Sequence, residues 1–332
     1  MRLVGVFCLW CCVLCAWGNM PYTCMFYNVE NYFDCEDDTL TNDDEFVPAQ
    51  PKYWTPKRYT TKRQNIARVI VAVGKGTAPV LVGLCEVENA KVLHQLVRYK
   101  PLSVLNYQTV HFESPDARGI DVALLYQPTA FLPLQSKPIR VGFKDGTFSR
   151  DILYVKGLLG ATDTLHVMVC HAPSRRSGAT GDARRMDALK LVRAQADSLL
   201  AVQPSAKVLI MGDFNDTPTD NSMQQGLGAV VEGSTEADSV AKLYNLMDVA
   251  DGTYKYKGQW CLFDQFVVSS SLLQGKGWVV KDKQAYVYKA DFLLQPDVTY
   301  MGYKPYRTYL GPRYIGGYSD HLPIYLQFEP CR

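Results

Sequence analysis

The chain has 332 residues, of which 47% are hydrophobic, 12% aromatic and 20% charged. This composition is that of a globular protein, and it excludes disordered, collagen-like and low-complexity chains. The formal net charge of +2 also excludes a polybasic, histone-like binder, although one site for an anionic substrate can be basic on a near-neutral protein.

An apolar run at residues 3–17 follows Arg2 and ends in the pattern Ala16-Trp17-Gly18. A basic start, a short apolar stretch and small residues at a cleavage point are typical of a signal peptide. Because the run is shorter than the ~20 residues of a membrane-spanning helix, we expect residues 1–18 to be removed on export, to the periplasm or the medium. Lipid anchoring is a weaker alternative, and we expect no stable membrane insertion of the mature chain.

The cysteines outside this leader carry no metal-binding spacing. Export permits disulfide bonds, but the spacing assigns no pair. Three of them, Cys24, Cys85 and Cys170, lie in strand-like apolar runs, where cysteine usually acts as a small buried hydrophobic residue.

The rest of the chain alternates strand-like and helix-like patterns. In chain order, these patterns predict a strand at 22–29, an acidic loop at 34–45, a helix at 60–73, a strand at 79–84, a helix at 87–97, strands at 120–126, 152–158 and 165–170, a helix at 182–200, a strand at 207–211, two strands joined by a Lys257-Gly258 turn within 254–268, and a strand at 322–328. Many strands with few long helices favour one mixed α/β domain in which helices cover sheets.

Polar residues stand where many of these strands begin or end. A buried carboxylate is costly unless it is paired or bound to a metal. One such residue more often caps a turn, but strand ends of one sheet share an edge, so several together predict a site. The residues are Asn28, Glu86, His171, Asp213, Asn215, Asp264, Asp320 and His321.

These side chains suit metal-assisted phosphate chemistry. Glu86, Asn28 and Asp320 offer hard oxygen ligands, which Mg²⁺, and also Mn²⁺ or Ca²⁺, prefer. Asp213 and Asn215, two residues apart, would place a base and an amide donor on one strand face. Histidine transfers protons or contacts phosphate. A metal ion, a base and hydrogen-bond donors are what hydrolysis of a phosphate ester requires.

Three arginines are candidates for binding the substrate phosphate, since a guanidinium group can bind two phosphate oxygens at once. They are Arg118, Arg175 and Arg176. Arg175 and Arg176 are equally consistent with solvated loop charges. Asp121 alternates with apolar residues in its strand, and it either reaches the site or forms a plain salt bridge.

A series of segments together resembles the endonuclease/exonuclease/phosphatase superfamily, which includes deoxyribonucleases, abasic-site endonucleases, sphingomyelinases and inositol-polyphosphate phosphatases. The segments are Tyr27-Asn28-Val29-Glu30-Asn31, Leu84-Cys85-Glu86-Val87-Glu88-Asn89, Arg118-Gly119-Ile120-Asp121, His171-Ala172-Pro173-Ser174, Gly212-Asp213-Phe214-Asn215-Asp216, Phe263-Asp264-Gln265-Phe266 and Ser319-Asp320-His321-Leu322-Pro323. The resemblance implies a single catalytic domain over residues 19–332. It also implies a four-layer αββα sandwich, in which two mixed β-sheets pack face to face with helices outside.

The resemblance implies roles at the metal and at the attacking water. Glu86 would be the principal metal ligand, Asn28 would lie in or beside the metal shell, and Asp320 is a candidate ligand of a second metal. Asp213 would activate or orient the water, and Asn215 would hold the phosphate. Whether one or two metals bind stays open.

The resemblance also implies roles for the histidines. His321 would pair with Asp264 and act either as the general base or as a cation that stabilises the phosphate. His171 would contact the phosphate or assist the leaving group. Abasic-site enzymes usually carry tyrosine at that position, so His171 argues against that branch.

The first functional hypothesis is a metal-dependent phosphodiesterase of the nuclease type, with nucleic acid as a candidate partner. Residues 300–318 hold six tyrosines among basic residues, a pattern that suits base stacking or simply a packed loop. Low net charge weakens the nucleic-acid hypothesis. The alternatives are a sphingomyelinase-like or inositol-phosphatase-like esterase and a non-catalytic binding protein, against which the intact site argues. We expect a monomer.

Overall fold

The computed structural model describes residues 21–231, 243–250 and 252–331, so the predicted leader lies outside the described residues. The helices are α1 (Pro56–Val73), α2 (Ala90–Val97) and α3 (Gly178–Val202). Side-chain oxygens cap the first two, because Thr55 accepts from Arg58 N and Asn89 accepts from Val92 N. The prediction of three helices is confirmed, with α2 starting later than expected because the preceding strand extends to Val87.

The strands of the described chain are longer at the site edge than predicted. They are β1 (Tyr22–Tyr32), β2 (Leu81–Val87), β3 (Gln108–His111), β4 (Asp121–Tyr126), β5 (Phe131–Ile139), β6 (Ile152–Leu159), β7 (Asp163–His171), β8 (Lys207–Asp213), β9 (Ala229–Val231), β10 (Leu243–Asn245), β11 (Tyr254–Tyr256), β12 (Gln259–Cys261), β13 (Asp264–Ser269), β14 (Gly277–Val280), β15 (Tyr286–Val287), β16 (Leu294–Pro296), β17 (Tyr303–Pro305), β18 (Tyr309–Leu310), β19 (Arg313–Tyr314) and β20 (Ile324–Cys331). Short helical turns connect several of them.

Two mixed sheets form the body of the fold. The first sheet has the order β14-β20-β1-β2-β4-β3, with β15 beside β20. The second sheet has the order β5-β6-β7-β8-β13-β10-β9. Strands β1 and β2 run parallel, as do β7 and β8, while most other neighbours are antiparallel.

The sheets pack face to face over one apolar core. This core joins Phe26 and Leu124 of the first sheet to Val167, Met211 and Phe266 of the second. A Cβ at Gly83 would lie only 2.8 Å from Met211 Sδ, so the two sheets approach each other closely there. Separate apolar clusters cover the outer faces, with α1 and α2 on the first sheet and α3 on the second. The predicted four-layer αββα sandwich is therefore confirmed.

Strands that bury few side chains were not predicted from the sequence. In β5, most residues are exposed and two are prolines, Pro133 and Pro138, which sheets tolerate at an edge. Residues 254–268 form three strands rather than two, because the chain turns again before Asp264. Cys24, Cys85 and Cys170 are buried, as predicted. Among the described residues, no helix is long and apolar enough to span a membrane.

His166 in β7 gives a test of the fold that is independent of the site. It is buried, and its Nδ1 lies 2.8 Å from the Tyr154 hydroxyl. Burial, and then the charge of Lys156, lower the pKa of His166. The unfolded chain therefore takes up a proton there that the folded chain resists, so the free energy of unfolding falls as the pH drops through about 6.5.

We expect His166→Gln, which keeps a hydrogen-bonding partner for Tyr154, to lose less stability between pH 7.5 and pH 5.5 than the wild type. Urea denaturation at the two pH values measures this difference. His94→Gln, on the exposed side of α2, is the matched control and should follow the wild type. A pH dependence that His166→Gln leaves unchanged would contradict the assignment.

Candidate active site

Two irregularities in neighbouring strands aim side chains at one edge of the first sheet. The pairing of β1 with β2 shifts after Asn28, and the pairing of β2 with β4 shifts after Cys85. Glu86 and Asn31 adopt left-handed backbone conformations there, with φ of 61° and 56°, a conformation that bulges use to re-aim side chains. Asn31 N donates to Glu86 Oε2 at 2.9 Å, so the two bulges are joined.

The second sheet contributes three site residues at the ends of adjacent strands. His171 ends β7, Asp213 ends β8, and Asp264 begins β13. In the strand register, Asp213 lies opposite both His171 and Asp264. These neighbours therefore share one edge, as the strand-end pattern predicted.

Asn215 reaches the site in a different way from the one predicted. We expected it to share a strand face with Asp213, but β8 ends at Asp213 and Asn215 is left-handed, with φ of 52°. The backbone nitrogen of Asn215 donates to Asp213 Oδ1 at 2.9 Å, and its side-chain Nδ2 donates to Ala172 O at 3.1 Å. The expected strand-face geometry is therefore wrong, because a tight turn brings the side chain in instead.

Asp213 is the centre of the arrangement. Its Oδ2 accepts a hydrogen bond from Asn28 Nδ2 at 3.0 Å and lies 3.7 Å from Nε2 of both His171 and His321. Burial raises the pKa of Asp213 to about 6, although the charge of His321 opposes this shift. One buried carboxylate thus joins Asn28 of the first sheet to two histidines.

His321 is fixed by its neighbours. Its Nδ1 lies 2.7 Å from Asp264 Oδ2, and its backbone nitrogen donates to Ser319 Oγ at 3.1 Å. Burial alone would lower the pKa of His321, but the charges of Asp264 and Asp213 raise it well above its ordinary value. The pair matches the arrangement that the sequence resemblance implied, and it turns Nε2 towards Asp213.

His171 has the opposite electrostatic environment. Burial, and then the charges of Arg150 and Arg118, hold its pKa well below the ordinary value. Its Nε2 lies 3.9 Å from Glu86 Oε1. Nε2 of His171 therefore faces two carboxylate oxygens, Glu86 Oε1 and Asp213 Oδ2.

Arg150 also lies at the site, although it was not predicted from the sequence. Its guanidinium is buried, 3.1 Å from Asp116 Oδ2, and donates to Ala172 O at 2.8 Å. It thus braces the backbone directly after His171. No motif marks it in the sequence, because its partners come from separate loops.

A second group that was missed surrounds Asp320. Arg307 donates to Asp320 Oδ2 at 2.9 Å and to Glu30 Oε1 at 3.2 Å. Behind them, Lys62 donates to the carbonyl oxygen of Tyr318 at 2.7 Å, and burial lowers its pKa to about 8. One oxygen of Asp320 is therefore bound to arginine, and its role towards a metal stays a prediction.

Arg118 lies at the site edge of the first sheet. Its Nη2 donates to Asn31 Oδ1 at 3.0 Å, beside the bulge that carries Glu86. Its charge is one of those that lower the pKa of His171. The structure therefore places this predicted phosphate ligand next to the site.

Arg175 is engaged by the protein itself. Its Nε donates to Asn215 O at 2.8 Å, and its Nη2 pairs with Asp216 at 2.8 Å and with Asp220. It thus braces the turn that holds Asn215. The neighbouring Arg176 is exposed, and phosphate binding by either residue stays a prediction.

Potential metal ligands cluster in more than one place in the described chain. Groups of His, Cys, Asp or Glu with ligand atoms within 4.8 Å of one another are Cys85–His171–Asp213, Asp213–Asp264–His321 and His111–Glu113–Asp121. In the last group, Asp121 bonds His111 and Ser114, which favours the plain-pairing alternative for Asp121.

The first two groups suit a hard cation less well than the predicted oxygen set does. Burial raises the pKa of Cys85 well above its ordinary value, so its sulfur stays a neutral thiol. The His321–Asp264 hydrogen bond already occupies the second group. Glu86, in contrast, uses Oε2 for Asn31, so its Oε1 suits a divalent cation.

The fold and this set of side chains define the class of metal-dependent phosphoester hydrolases. Residues 23–330 match the Endonuclease/Exonuclease/phosphatase family, and the chain belongs to that family. The enzymes of this family use divalent metal ions. The non-catalytic alternative is therefore set aside. No curated protein sequence matches the chain closely enough to count as a relative.

Solved structures share the fold at low sequence identity. An endonuclease/exonuclease/phosphatase family protein from Bacteroides thetaiotaomicron is 15% identical (TM-score 0.58, 95% of this chain and 99% of that chain). The mannosyl-6-phosphatase Bt3783 of Bacteroides thetaiotaomicron VPI-5482 is 16% identical (TM-score 0.58, 92% and 99%). D. rerio TDP2, complexed with a single strand DNA product, is 15% identical (TM-score 0.55, 93% and 99%). At these identities the likeness shows the fold alone.

The Asp264–His321 pair gives a direct test of the site. Asp264→Asn keeps the size of the side chain but removes the charge that holds His321 in its protonated form and orientation. We expect kcat for hydrolysis of bis-p-nitrophenyl phosphate to fall by about 10²–10⁴-fold, with little change in Tm. The exposed Asp248→Asn is the matched control, and equal rates in the two variants would contradict the assignment.

Proposed function

We propose that the chain is an exported, Mg²⁺-dependent phosphodiesterase that cleaves nucleic acid by attack of water on phosphorus. The observation that carries this proposal is the meeting of Asn28, His171 and His321 at Asp213 Oδ2. A buried carboxylate with two histidines can position a water and a phosphate on opposite sides of one reacting centre.

The proposed mechanism gives each of these residues one role. Asp213 Oδ2 orients the attacking water and accepts its proton as the water oxygen bonds to phosphorus. The bond from phosphorus to the leaving oxygen breaks, and that oxygen takes up a proton from solvent water. His321, held by Asp264, donates to a phosphate oxygen through Nε2. His171 donates a hydrogen bond through its own Nε2 to a second phosphate oxygen. Asn215 holds a further phosphate oxygen, as an oxyanion-stabilising donor does. This assigns the base role to Asp213 and the cationic role to His321.

A divalent metal ion would bind at the edge where the bulges of β1 and β2 meet. Glu86 would be its principal ligand, with Asn28 and Asp320 close by. The bound cation would neutralise charge that develops on the phosphate. Mg²⁺ is proposed because the donors are hard oxygens, with Mn²⁺ or Ca²⁺ as substitutes.

The assignment of the metal site can be tested by binding. We expect Glu86→Gln, which removes the charge but keeps the shape, to weaken binding of Mn²⁺ at least about 10-fold in calorimetry and to abolish most of the activity. Glu113→Gln, in the separate His111–Glu113–Asp121 group, is the control and should bind Mn²⁺ as the wild type does. The reverse result would move the metal to that group. EDTA should stop hydrolysis in both the wild type and the control.

Support for a nucleic-acid substrate comes from the surface beside the site. Of the tyrosines at 300–318, Tyr309 and Tyr318 are packed inside, whereas Tyr300 and Tyr303 are 51% and 61% exposed. Exposed aromatic rings near basic side chains suit unpaired bases. D. rerio TDP2, which shares the fold, was solved with a single strand DNA product.

A second candidate is hydrolysis of a sugar phosphate. The mannosyl-6-phosphatase Bt3783, which also shares the fold, acts on such a substrate by its name. None of the described site residues requires that the substrate be a diester. Lipid phosphoesters remain the third substrate class to be tested.

A panel of substrates separates these candidates. We expect the mature protein with Mg²⁺ to cleave single-stranded DNA or RNA faster than mannose 6-phosphate, sphingomyelin, inositol phosphates or nucleoside monophosphates, as measured by product formation. Faster hydrolysis of mannose 6-phosphate would establish the second candidate. No hydrolysis of any phosphate ester with any divalent ion would contradict the enzyme assignment itself.

Export is the remaining part of the proposal. We expect the mature chain to begin near residue 19, to be recovered outside the cytoplasm and to elute as a monomer in size-exclusion chromatography. N-terminal sequencing of the recovered protein tests the cleavage point. A cytoplasmic protein that retains residues 1–18 would contradict this part and leave the chemistry untouched.

A further inference from the structure

A small hairpin, strands β11 and β12, is joined directly to His321. The backbone of Tyr254 in β11 pairs with that of His321, and their rings lie 4.9 Å apart. Leu322 N donates to Thr253 O at 2.8 Å. The ring of Tyr254 also stacks on Phe263 at 5.5 Å. The hairpin is therefore held rigidly beside the site.

The two faces of this hairpin have different surroundings. Side chains alternate along a strand, so Tyr254 and Tyr256 share one face while Lys255 points to the other. Lys255 donates to the carbonyl oxygens of Met301 and Tyr303 at 3.0 and 3.1 Å. The Lys255 face is thus covered by the neighbouring β16–β17 hairpin, whereas the face with Tyr254 continues outwards from His321.

Tyr256 is the next side chain on the site face. It stands about 7 Å beyond Tyr254, two residues along the strand, and it is 58% exposed. Gln259 lies opposite it in the register and is also exposed. The ammonium group of Lys257 lies 5.4 Å from the centre of the Tyr256 ring, so a cation accompanies the ring.

The Tyr256 ring and the Lys257 ammonium group lie about one nucleotide length from the proposed phosphate site at His321. This arrangement suits a nucleobase that is linked to the bound phosphate. Stacking requires that the base be unpaired, because a paired base presents its faces to its neighbours in the duplex. An acyl chain would gain little here, since the surrounding side chains Lys257 and Gln259 are polar.

We propose that Tyr256, with Gln259 and Lys257, forms an outer subsite that stacks on the nucleobase adjacent to the scissile phosphodiester and so selects unpaired strands. The inference rests on the proposed function, since it names the substrate class for the same site. Tyr256 is a specificity-determining residue, and the chemistry remains with Asp213, His171 and His321.

The test compares the wild type, Tyr256→Ala and Tyr256→Phe on thymidylyl-thymidine and on its two analogues that each lack one base. Stacking on a base is made before and during the reaction, so its loss raises KM more than it lowers kcat. We expect Tyr256→Ala to lower kcat/KM for the dinucleotide by about 5- to 100-fold and Tyr256→Phe to stay within about twofold. On the analogue that lacks the stacked base, Tyr256→Ala should match the wild type.

Tyr53→Ala provides the matched control, because Tyr53 is exposed to the same extent, at 62%, and has no part in the proposed site. An unchanged KM in Tyr256→Ala, or an equal loss on all three substrates, would overturn the subsite. When mannose 6-phosphate is added as a fourth substrate, a loss confined to it would also overturn the subsite, because it would assign the ring to a sugar. If the wild type cleaves no phosphodiester at all, the proposed function fails instead, and the two failures are therefore distinguishable.

Discussion

The hydrogen bond between Asn28 and Asp213 is the contact on which the site depends, because it ties the two sheets together at their shared edge. An unpaired buried carboxylate costs several kcal/mol, so Asp213 is stable there only while Asn28 and the amide of Asn215 satisfy it. The sheet packing brings these partners into reach, and the catalytic geometry is a property of how the layers align.

Local patterns predicted a mixed α/β domain and the polar residues at the strand ends, since burial of apolar strands and the cost of buried charge are both visible in the sequence. The four-layer sandwich was implied by the resemblance to the family. The sequence could not predict how Glu86 and Asn215 reach the site. Each adopts a left-handed backbone conformation, which cannot be inferred from the residue type alone. The ion pairs of Arg150 and Arg307 could not be predicted from the sequence for another reason. Their partners lie far apart in the chain, so only the fold brings them together.

The charged side chains at the site are balanced by neighbouring charges of opposite sign, so the net charge of the whole chain does not describe the charge at the site. Arg175 is shared between Asp216 and Asp220, and Arg307 between Glu30 and Asp320. These pairs hold loops in place, and they also leave fewer free cations to attract a polyanion over long distances. Recognition of a substrate must then come from short-range contacts, such as stacking and hydrogen bonds, more than from electrostatic steering.

Strand β1 pairs with β20, with Phe26 opposite Ile324. Asn28 follows Phe26 and His321 precedes Ile324, so both flank the same end of this pairing, although they are almost 300 positions apart in the sequence. A nascent chain in which β20 has not yet paired with β1 cannot hold His321 beside Asp213, so the reacting centre forms late in folding.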